Sequence, residues 1–314
     1  MSEFDLIRSH FTWPAPAARA TSVIRGVGDD AAIVRVPVGD ELLVSVDTLI
    51  SGVHFPVDTV PHAIGHKTLA VNLSDMAAMG ATARWFTLAL SLPQADPSWL
   101  TDFARGLREL ADQHQVALIG GDTTRGPLSL TVQIMGTLPQ GQALLRSGAQ
   151  PGDVIAVSGY PGEAAAGLAC LQGRLTLPPT AAAHCRQRLD YPTPRLSLGY
   201  SLHRHGAHSC LDVSDGLLSD PRHILQASDT AARLDSARLP LSPVLHSLPI
   251  ETAQTLMLNG GDDYELLFTA APGDFAAIHE EARDLGVPVT VIGEIVAQAP
   301  ADPLLCLTTN WFKC

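Results

Sequence analysis

The sequence predicts an α/β protein built from two halves, each with a mixed sheet and helices. The chain has 314 residues, long enough for two domains, and 46% of them are hydrophobic, which suits a protein with a substantial core. Segments with strand character alternate with segments of helical periodicity. The Gly- and Pro-containing segment RSGAQPGD (146–153) interrupts this alternation. We therefore predict domains over residues 1–147 and 148–314.

The first half is predicted to contain five strands and two helices. A helix over 62–79 is expected to end at Gly80, since glycine readily adopts the left-handed conformation that terminates helices. A second helix over 98–115 follows Pro97, with Ser98 as its predicted N-cap. The predicted strands are AAIVRV (31–36), ELLVSVD (41–47), RWFTLALSL (84–92), VALIGG (116–121) and LSLTVQIMGTL (128–138).

The second half opens with a strand, DVIAVSG (153–159), and a helix of small residues, GEAAAGLACL (162–171). A further helix is predicted to begin near Asp215. The other predicted strands, with helices between them, are CLDVS (210–214), ELLFTA (265–270), PVTVIGEI (288–295) and LLCLT (304–308).

Charge and composition exclude several classes of protein. The net charge of −12, without a basic stripe, argues against a nucleic-acid partner. No apolar segment reaches the ~18 residues that a membrane span needs. The five cysteines form no CxxC pair, and the N-terminal segment lacks the apolar region of a signal peptide. We therefore expect a cytoplasmic protein.

Aspartates recur at the ends of short apolar segments. Each one alone is most simply an N-cap or a turn residue. Their recurrence favours a shared role, because converging carboxylates need cations and Mg²⁺ prefers such hard oxygen ligands beside substrate phosphates. The pattern predicts a metal-dependent phosphoryl-transfer enzyme. The residues are Asp29, Asp30, Asp47, Asp75, Asp122, Asp212 and Asp215.

Other motifs narrow the chemistry. The sequence contains no GxxxxGK[ST] loop, no HRD and DFG pair and no HExxH helix, which argues against P-loop kinases, protein kinases and zincins. Gly120 and Gly121 before Asp122 would let backbone N–H groups approach a phosphate. NGGDDYELLFT (259–269) is either a polar hairpin entry or a loop that binds a polar substrate group.

Motifs spread over nearly the whole chain occur in an order that resembles the thiamine-monophosphate kinase family. No single motif is specific, but the ordered set is. The matching segments are EFDLI (3–7), GDDAA (28–32), SVDTLISGVHF (45–55), KTLAVNLSDMAAMGA (67–81), LIGGDTT (118–124), RSGAQPGD (146–153), SGYPGEAAAGL (158–168), PTPRLSLG (192–199), LDVSDGL (211–217) and GGDDYEL (260–266).

The resemblance implies a fold shared with aminoimidazole ribonucleotide synthetase and selenophosphate synthetase, with two α/β domains and dimerisation through the N-terminal sheet. It implies direct transfer of the ATP γ-phosphate to thiamine monophosphate, with several Mg²⁺ ions, by a homodimer. The implied catalytic residues are Asp47, Asp75 and Asp122. The implied metal ligands are Asp30, Ser45, Val46 through its backbone, Asp47, Asp75, Asp122, Asp212 and Asp215.

The resemblance also implies ligands for the two substrates. ATP would contact Gly121, Asp122, Arg146 and Ser214. The thiamine substrate would contact His54, Asp262, and Trp311 or Phe312. Asp262 stands where the family usually has a glutamate, and the usual C-terminal GWDHF-like signature is reduced here to TNWFKC. Taken alone, His54 is more simply a structural or surface histidine.

Two other functions stay open from the sequence. One is another ATP-dependent synthetase of the same fold, although a selenophosphate synthetase would need a reactive cysteine near the N-terminus and the first cysteine here is Cys170. The other is a nucleotide-binding regulator without catalytic activity.

Overall fold

The computed structural model describes residues 3–298 and 305–308. The chain forms two compact units: an N-terminal unit, which holds the chain up to Met76 and Ala81–Gly141, and a C-terminal unit, which holds Ala77–Gly80 and the chain from Gln142 onward. Each unit carries a mixed sheet, so the predicted α/β class is confirmed. The units part between Gly141 and Gln142, and the functional division at residue 147 stays a prediction.

The N-terminal unit contains a four-stranded sheet in the order β3-β6-β4-β5 and a small β1-β2 hairpin-like pair. β6 lies antiparallel to both β3 and β4, whereas β4 and β5 are parallel. The elements are α1 (Glu3–His10), β1 (Val23–Arg25), β2 (Ile33–Val34), β3 (Asp40–Ile50), α2 (Pro61–Ala78), β4 (Thr82–Leu92), α3 (Pro97–Gln113), β5 (Ala117–Arg125) and β6 (Ser129–Pro139).

Alternation along β6 shows which face of this sheet is buried. Leu130, Val132 and Ile134 are completely buried, whereas Gln133 between them is exposed. Successive side chains of a strand point to opposite faces, so the apolar set covers one face only. The sequence pattern thus decides which face of the sheet the core covers.

The boundaries of the two predicted helices were close, but one cap was wrong. Gly80, just beyond α2, has φ +68°, as predicted for a residue that terminates a helix. The N-cap of α3 is Asp96 and not Ser98, because the Asp96 carboxylate accepts from the backbone N–H of Ser98 at 2.8 Å and of Trp99 at 3.3 Å. Proline fits the first helical position, so Pro97 begins this helix and the cap precedes it.

The C-terminal unit contains a six-stranded sheet in the order β12-β9-β11-β7-β10-β8, antiparallel except for the β9–β12 pair. Its elements are β7 (Val154–Ser158), α4 (Glu163–Leu171), α5 (Pro179–Asp190), α6 (Leu196–Arg204), β8 (Ser209–Val213), α7 (Pro221–Ser228), β9 (Thr230–Asp235), α8 (Ile250–Asn259), β10 (Glu265–Ala270), α9 (Pro272–Asp284), β11 (Val289–Ala297) and β12 (Leu305–Thr308), with short 3₁₀ turns at Ser236–Arg238 and Pro243–Leu245.

Two features of this unit differ from the sequence prediction. β9 was not predicted, because its buried residues include Ala231 and Ala232, whose small side chains give a weak apolar pattern. The helix predicted near Asp215 begins instead at Pro221, and the residues between form turns. Among the described residues, no helix is both long and apolar enough to cross a membrane.

Candidate active site

Strand β3 and helix α2 bring together several of the predicted site residues in the N-terminal unit. Ser45 and Asp47 lie two positions apart and therefore share a face of β3. The Ser45 hydroxyl donates to the Asp75 carboxylate at 2.6 Å. The backbone N–H of Asp47 donates to the side-chain oxygen of Asn72 at 3.2 Å. The common helix face predicted for Asn72 and Asp75 is thus the face that meets this strand.

Asn72 is a buried support for this arrangement. Its side-chain amide donates to the carbonyl of Thr68 at 3.0 Å, one turn earlier in α2. Its amide oxygen is thereby oriented towards the Asp47 backbone. We conclude that Asn72 fixes the spacing between β3 and α2.

Asp47 and His54 interact electrostatically. Burial raises the pKa of the Asp47 carboxyl above its ordinary value, and the nearby His54 partly offsets this increase. His54 is exposed, and its Nδ1 accepts from the backbone N–H of Ile50 at 3.0 Å. The proton of the neutral ring therefore belongs on Nε2, where it can be donated to a ligand.

A cavity of about 590 Å³ within the N-terminal unit is lined by residues of the GVGDDAA segment and of the middle of β5. One wall is apolar and comes from Ile7, Phe11, Leu118 and Ile119. The polar part is formed by Gly28, Asp29, Asp30, Gly120, Gly121 and Asp122. The fold thus brings two glycine–aspartate motifs, far apart in sequence, to one cavity. The contribution of α1 to its wall was not predicted.

The two glycines before Asp122 differ in their environment. A Cβ atom on Gly121 would lie 1.9 Å from the carbonyl oxygen of Leu88 in the neighbouring strand. The nearest atom to a Cβ on Gly120 would be Cγ2 of Thr87, at 3.9 Å. Gly121 is therefore required by strand packing, in addition to the predicted approach of a phosphate.

The paired aspartates of the GDD motif also differ. Asp29 forms an ion pair with Arg25 at 3.4 Å. The Asp29 carboxylate also accepts from the backbone N–H of Asp30 at 3.0 Å. Asp29 thus stabilises the turn, while the carboxylates of Asp29 and Asp30 are both exposed and both line the cavity.

The oxygen groups on β3 and α2 suit a hard cation. Ser45 Oγ and Asp75 Oδ2 are already 2.6 Å apart, and a cation would offset the desolvation of Asp47. Across residues 3–298 and 305–308, no group of three or more His, Cys, Asp and Glu side chains could hold a metal ion. Mg²⁺ usually takes only one or two protein carboxylates, with waters and substrate phosphates completing its shell. These residues therefore fit ions that bind together with a phosphate substrate.

In the C-terminal unit, the DVSDGL segment forms a turn around a residue that was not predicted. The Asp220 carboxylate accepts from the successive backbone N–H groups of Ser214, Asp215 and Gly216, at 3.0, 2.9 and 3.1 Å. Asp220 precedes Pro221, an order typical of an ordinary helix N-cap, and no other feature of the sequence indicates this role. Asp220 holds the turn that carries the predicted ligands Ser214 and Asp215, and the third predicted ligand, Asp212, lies in β8 just before it.

The GGDDYEL segment is bonded directly to this turn. The backbone N–H of Asp262 donates to the carbonyl of Ser214 at 3.0 Å, and that of Tyr264 donates to the carbonyl of Val213 at 2.9 Å. The fold thereby places the predicted substrate residue beside the predicted ATP and metal ligands of β8. Asp263 and Glu265, in contrast, are buried and contact other parts of this unit.

Arg146 lies in an exposed turn of the same unit. Ser228 bridges this turn, because its hydroxyl donates to the Arg146 carbonyl at 3.3 Å and accepts from the Ala149 N–H at 3.1 Å. Trp311 and Phe312, the predicted aromatic contacts to the substrate, lie outside the described residues.

Comparison with known proteins defines the class first. Residues 28–138 match the N-terminal domain model of the AIR synthase related proteins, and residues 150–301 match the C-terminal domain model. The chain is 47% identical over 298 residues to thiamine-monophosphate kinase of Escherichia coli (strain K12), covering 94% of this chain and 90% of that protein. The chain therefore belongs to the thiamine-monophosphate kinase family, and it is a kinase.

Solved structures agree with this assignment. The crystal structure of thiamine-monophosphate kinase from Stenotrophomonas maltophilia K279a is similar, with a TM-score of 0.86, 48% identity, and coverage of 96% of this chain and 94% of that chain. AaThiL complexed with AMPPCP and TMP is similar with a TM-score of 0.76 and 27% identity, covering 98% and 92%. The predicted two-domain fold is confirmed by these likenesses.

Proposed function

We propose that this protein transfers the γ-phosphoryl group of ATP directly to thiamine monophosphate, giving thiamine diphosphate. The observation that carries the proposal is the cavity where the GDD and GGD motifs meet, in a chain of the thiamine-monophosphate kinase family. A relative of the same fold has a solved structure in which it is complexed with AMPPCP and TMP.

ATP is proposed to bind with its phosphates at Gly121 and Asp122. The cavity at these residues combines an apolar wall with glycine-rich backbone, which suits a base and a polyphosphate respectively. Arg146 and Ser214 of the C-terminal unit complete the proposed ATP contacts. Arg146 supplies a positive charge that would oppose the repulsion between two polyanionic substrates.

Several Mg²⁺ ions are proposed to bind with the phosphates, held by Asp30, Ser45, the Val46 carbonyl, Asp47, Asp75, Asp122, Asp212 and Asp215. The ions supply positive charge that screens and aligns the donor and acceptor phosphates. The Ser45–Asp75 hydrogen bond and the Asn72–Asp47 contact hold the nearest of these oxygen groups in place before substrates bind.

The acceptor requires little activation, because a phosphate monoester is already largely ionised at neutral pH. The chain's residues therefore act mainly by binding and orienting the two substrates. Asp262, His54, and Trp311 or Phe312 are the proposed contacts to thiamine monophosphate. Nε2–H of His54 is a suitable hydrogen-bond donor to it.

The active form is proposed to be a homodimer in the cytoplasm, without nucleic-acid or membrane partners. Strand β3 is an edge of its sheet and exposes alternate apolar side chains: Leu42 (46%), Val44 (53%) and Val46 (56%). An edge strand whose exposed face is apolar favours association with another sheet. Two copies of this face would bury it.

The experiment that tests this function is an ADP-release assay with ATP and Mg²⁺, with and without thiamine monophosphate. We expect release that depends on thiamine monophosphate and a kcat/KM for free thiamine at least tenfold lower, because a hydroxyl acceptor would need a base. Equal kcat/KM values for the two acceptors would contradict the proposal.

A second arm of this experiment tests direct transfer. Incubation with γ-labelled ATP and Mg²⁺, without acceptor, is expected to leave the denatured protein unlabelled. Stoichiometric label that hydroxylamine removes would instead indicate an aspartyl phosphate and a two-step reaction.

A further inference from the structure

The loop that carries Asp262 has an uncommon backbone. Asp262 has φ +68° and Tyr264 has φ +52°, both in the left-handed region that residues with a side chain rarely adopt. Such a conformation persists only where the surrounding structure stabilises it. The bonds from these two N–H groups to Ser214 and Val213 fix one side of the loop.

The other side of the loop is fixed by Asp263, which lies between Asp262 and Tyr264 and is buried in the C-terminal unit. The buried Asp263 carboxylate accepts from the backbone N–H of Gly162 at 2.7 Å and of Ala164 at 3.3 Å, where α4 begins. These contacts anchor the loop to the start of α4.

Glu265, the first residue of β10, is the most completely enclosed of these acids, with 0% of its surface exposed. Arg195 donates to both of its carboxylate oxygens, at 2.6 and 2.7 Å, and Arg188 donates at 2.8 Å. The Ser158 hydroxyl adds a fourth bond at 2.6 Å. Burial alone would raise the pKa of Glu265, but the two arginines hold that pKa below its ordinary value.

The residues around the Glu265 carboxylate are packed closely against it. A Cβ atom on Gly159 would lie 2.1 Å from a Glu265 carboxylate oxygen, so this position leaves room only for glycine. Arg188 also contacts Glu163 at 3.4 Å and thereby connects α5 to both α4 and β10. Arg195 binds Glu265 through two parallel hydrogen bonds, and Arg188 binds both Glu265 and Glu163. Such bidentate contacts fix the orientation of a carboxylate better than a single hydrogen bond does.

We propose that Glu265, clamped between Arg188 and Arg195, is a positioning residue that fixes the left-handed turn at Asp262 and Tyr264 and thereby sets the affinity for the acceptor substrate. This inference rests on the proposed function, in which Asp262 contacts thiamine monophosphate. It gives a role to Arg195, whose motif PTPRLSLG the proposed chemistry leaves unused, and to Glu265, which lies in the same GGDDYEL motif as the proposed substrate contact Asp262.

The test is Glu265→Gln, which keeps the shape and one acceptor oxygen but removes the charge. We expect the KM for thiamine monophosphate to rise about tenfold, with the KM for ATP changed less than about twofold. The control is Glu281→Gln, which alters a carboxylate of the same unit that is paired at the surface with Arg204 at 2.9 Å. The control is expected to leave both KM values unchanged.

A double-mutant cycle separates positioning from general stability. If Glu265 acts through Asp262, adding Glu265→Gln to Asp262→Ala will not raise the acceptor KM further. Additive increases, or equal increases in both KM values, would overturn the inference.

Arg188→Lys serves if Glu265→Gln does not fold, because it keeps the positive charge and loses the guanidinium fork. We expect the same change in KM at smaller size, and faster hydrogen exchange at the amides of Asp262 and Tyr264. The exchange measurement needs no activity. A wild-type protein that does not phosphorylate thiamine monophosphate would reject the proposed function, whereas unchanged exchange in Arg188→Lys would reject the inference alone.

Discussion

Individual residues of the candidate site act as pairs. Ser45 orients Asp75, and Asn72 fixes the backbone of Asp47, so the proposed ligands on β3 and α2 are held in position by neighbours from the other element. Burial raises the pKa of Asp47 because desolvation disfavours its charged form, so a positive charge close to this carboxylate would stabilise that form.

The residue-scale prediction concerns Asp47→Asn, Asp75→Asn and Asp122→Asn. Each variant is expected to lose ~10²-fold or more in kcat, because each removes a charge that the proposed transition state needs. The measurement is ADP release at saturating Mg²⁺, with thermal melting to show that folding is preserved.

The matched control for these variants is Asp112→Asn. Asp112 lies on the exposed side of α3 and pairs with Arg108 at 3.5 Å, a surface contact that contributes little. Its variant is expected to stay within about twofold of wild-type activity. Near wild-type turnover in any of the three test variants would remove that aspartate from the proposed site.

At the scale of elements, the pairing of strands β4 and β5 shapes the cavity. The pairing shifts between Phe86 and Thr87, which gives an irregularity at the point where β5 enters GGD. Bulges of this kind re-aim a strand and are common beside active sites. Asp122 then pairs with Ala89 in the shifted register, so the irregularity sets which residues of β5 line the cavity.

The element-scale prediction compares Gly121→Ala with Gly120→Ala. The Gly121 variant is expected to destabilise the protein by about 1–3 kcal/mol, because its Cβ would collide with the Leu88 carbonyl. The Gly120 variant adds the same methyl group where the nearest atom is 3.9 Å away and should melt close to wild type. Denaturant unfolding of both variants measures the difference, and equal stabilities would show that β4 and β5 can separate at this point.

At the scale of the whole molecule, the notable feature is the row of exposed apolar side chains on β3 of the N-terminal sheet. The exposed positions of β3 alternate with Ser45 and Asp47, which face α2. The same strand therefore serves the candidate site on one face and presents an apolar row on the other. A partner sheet on that row would also hold the site face rigid.

The corresponding prediction is that Leu42→Glu combined with Val44→Glu converts the proposed dimer to a monomer, because charges would be buried without partners. Light scattering coupled to size exclusion measures the mass. Leu285→Glu, at the exposed end of α9 in the C-terminal unit, is the control and should leave the mass unchanged. A double variant that keeps the wild-type mass would place any dimer interface elsewhere.

The sequence by itself determined the fold class, most strands and the helix ends set by local chemistry, such as Gly80. It also identified the family, through motifs in a fixed order. These features depend on neighbouring residues in the chain, whose side-chain size, alternation and backbone preferences can be read from the sequence without knowing what packs against them.

Only the tertiary structure decided which acidic residues are buried in structural contacts and which are available for a ligand. Asp220, which was not singled out from the sequence, binds three successive backbone N–H groups, and Glu265, predicted as the first residue of a strand, lies buried between two arginines. The environments of Gly120 and Gly121 likewise depend on β4. Whether an aspartate, glutamate or glycine is structural or available for a ligand depends on contacts between residues far apart in the chain, and the sequence does not contain those distances.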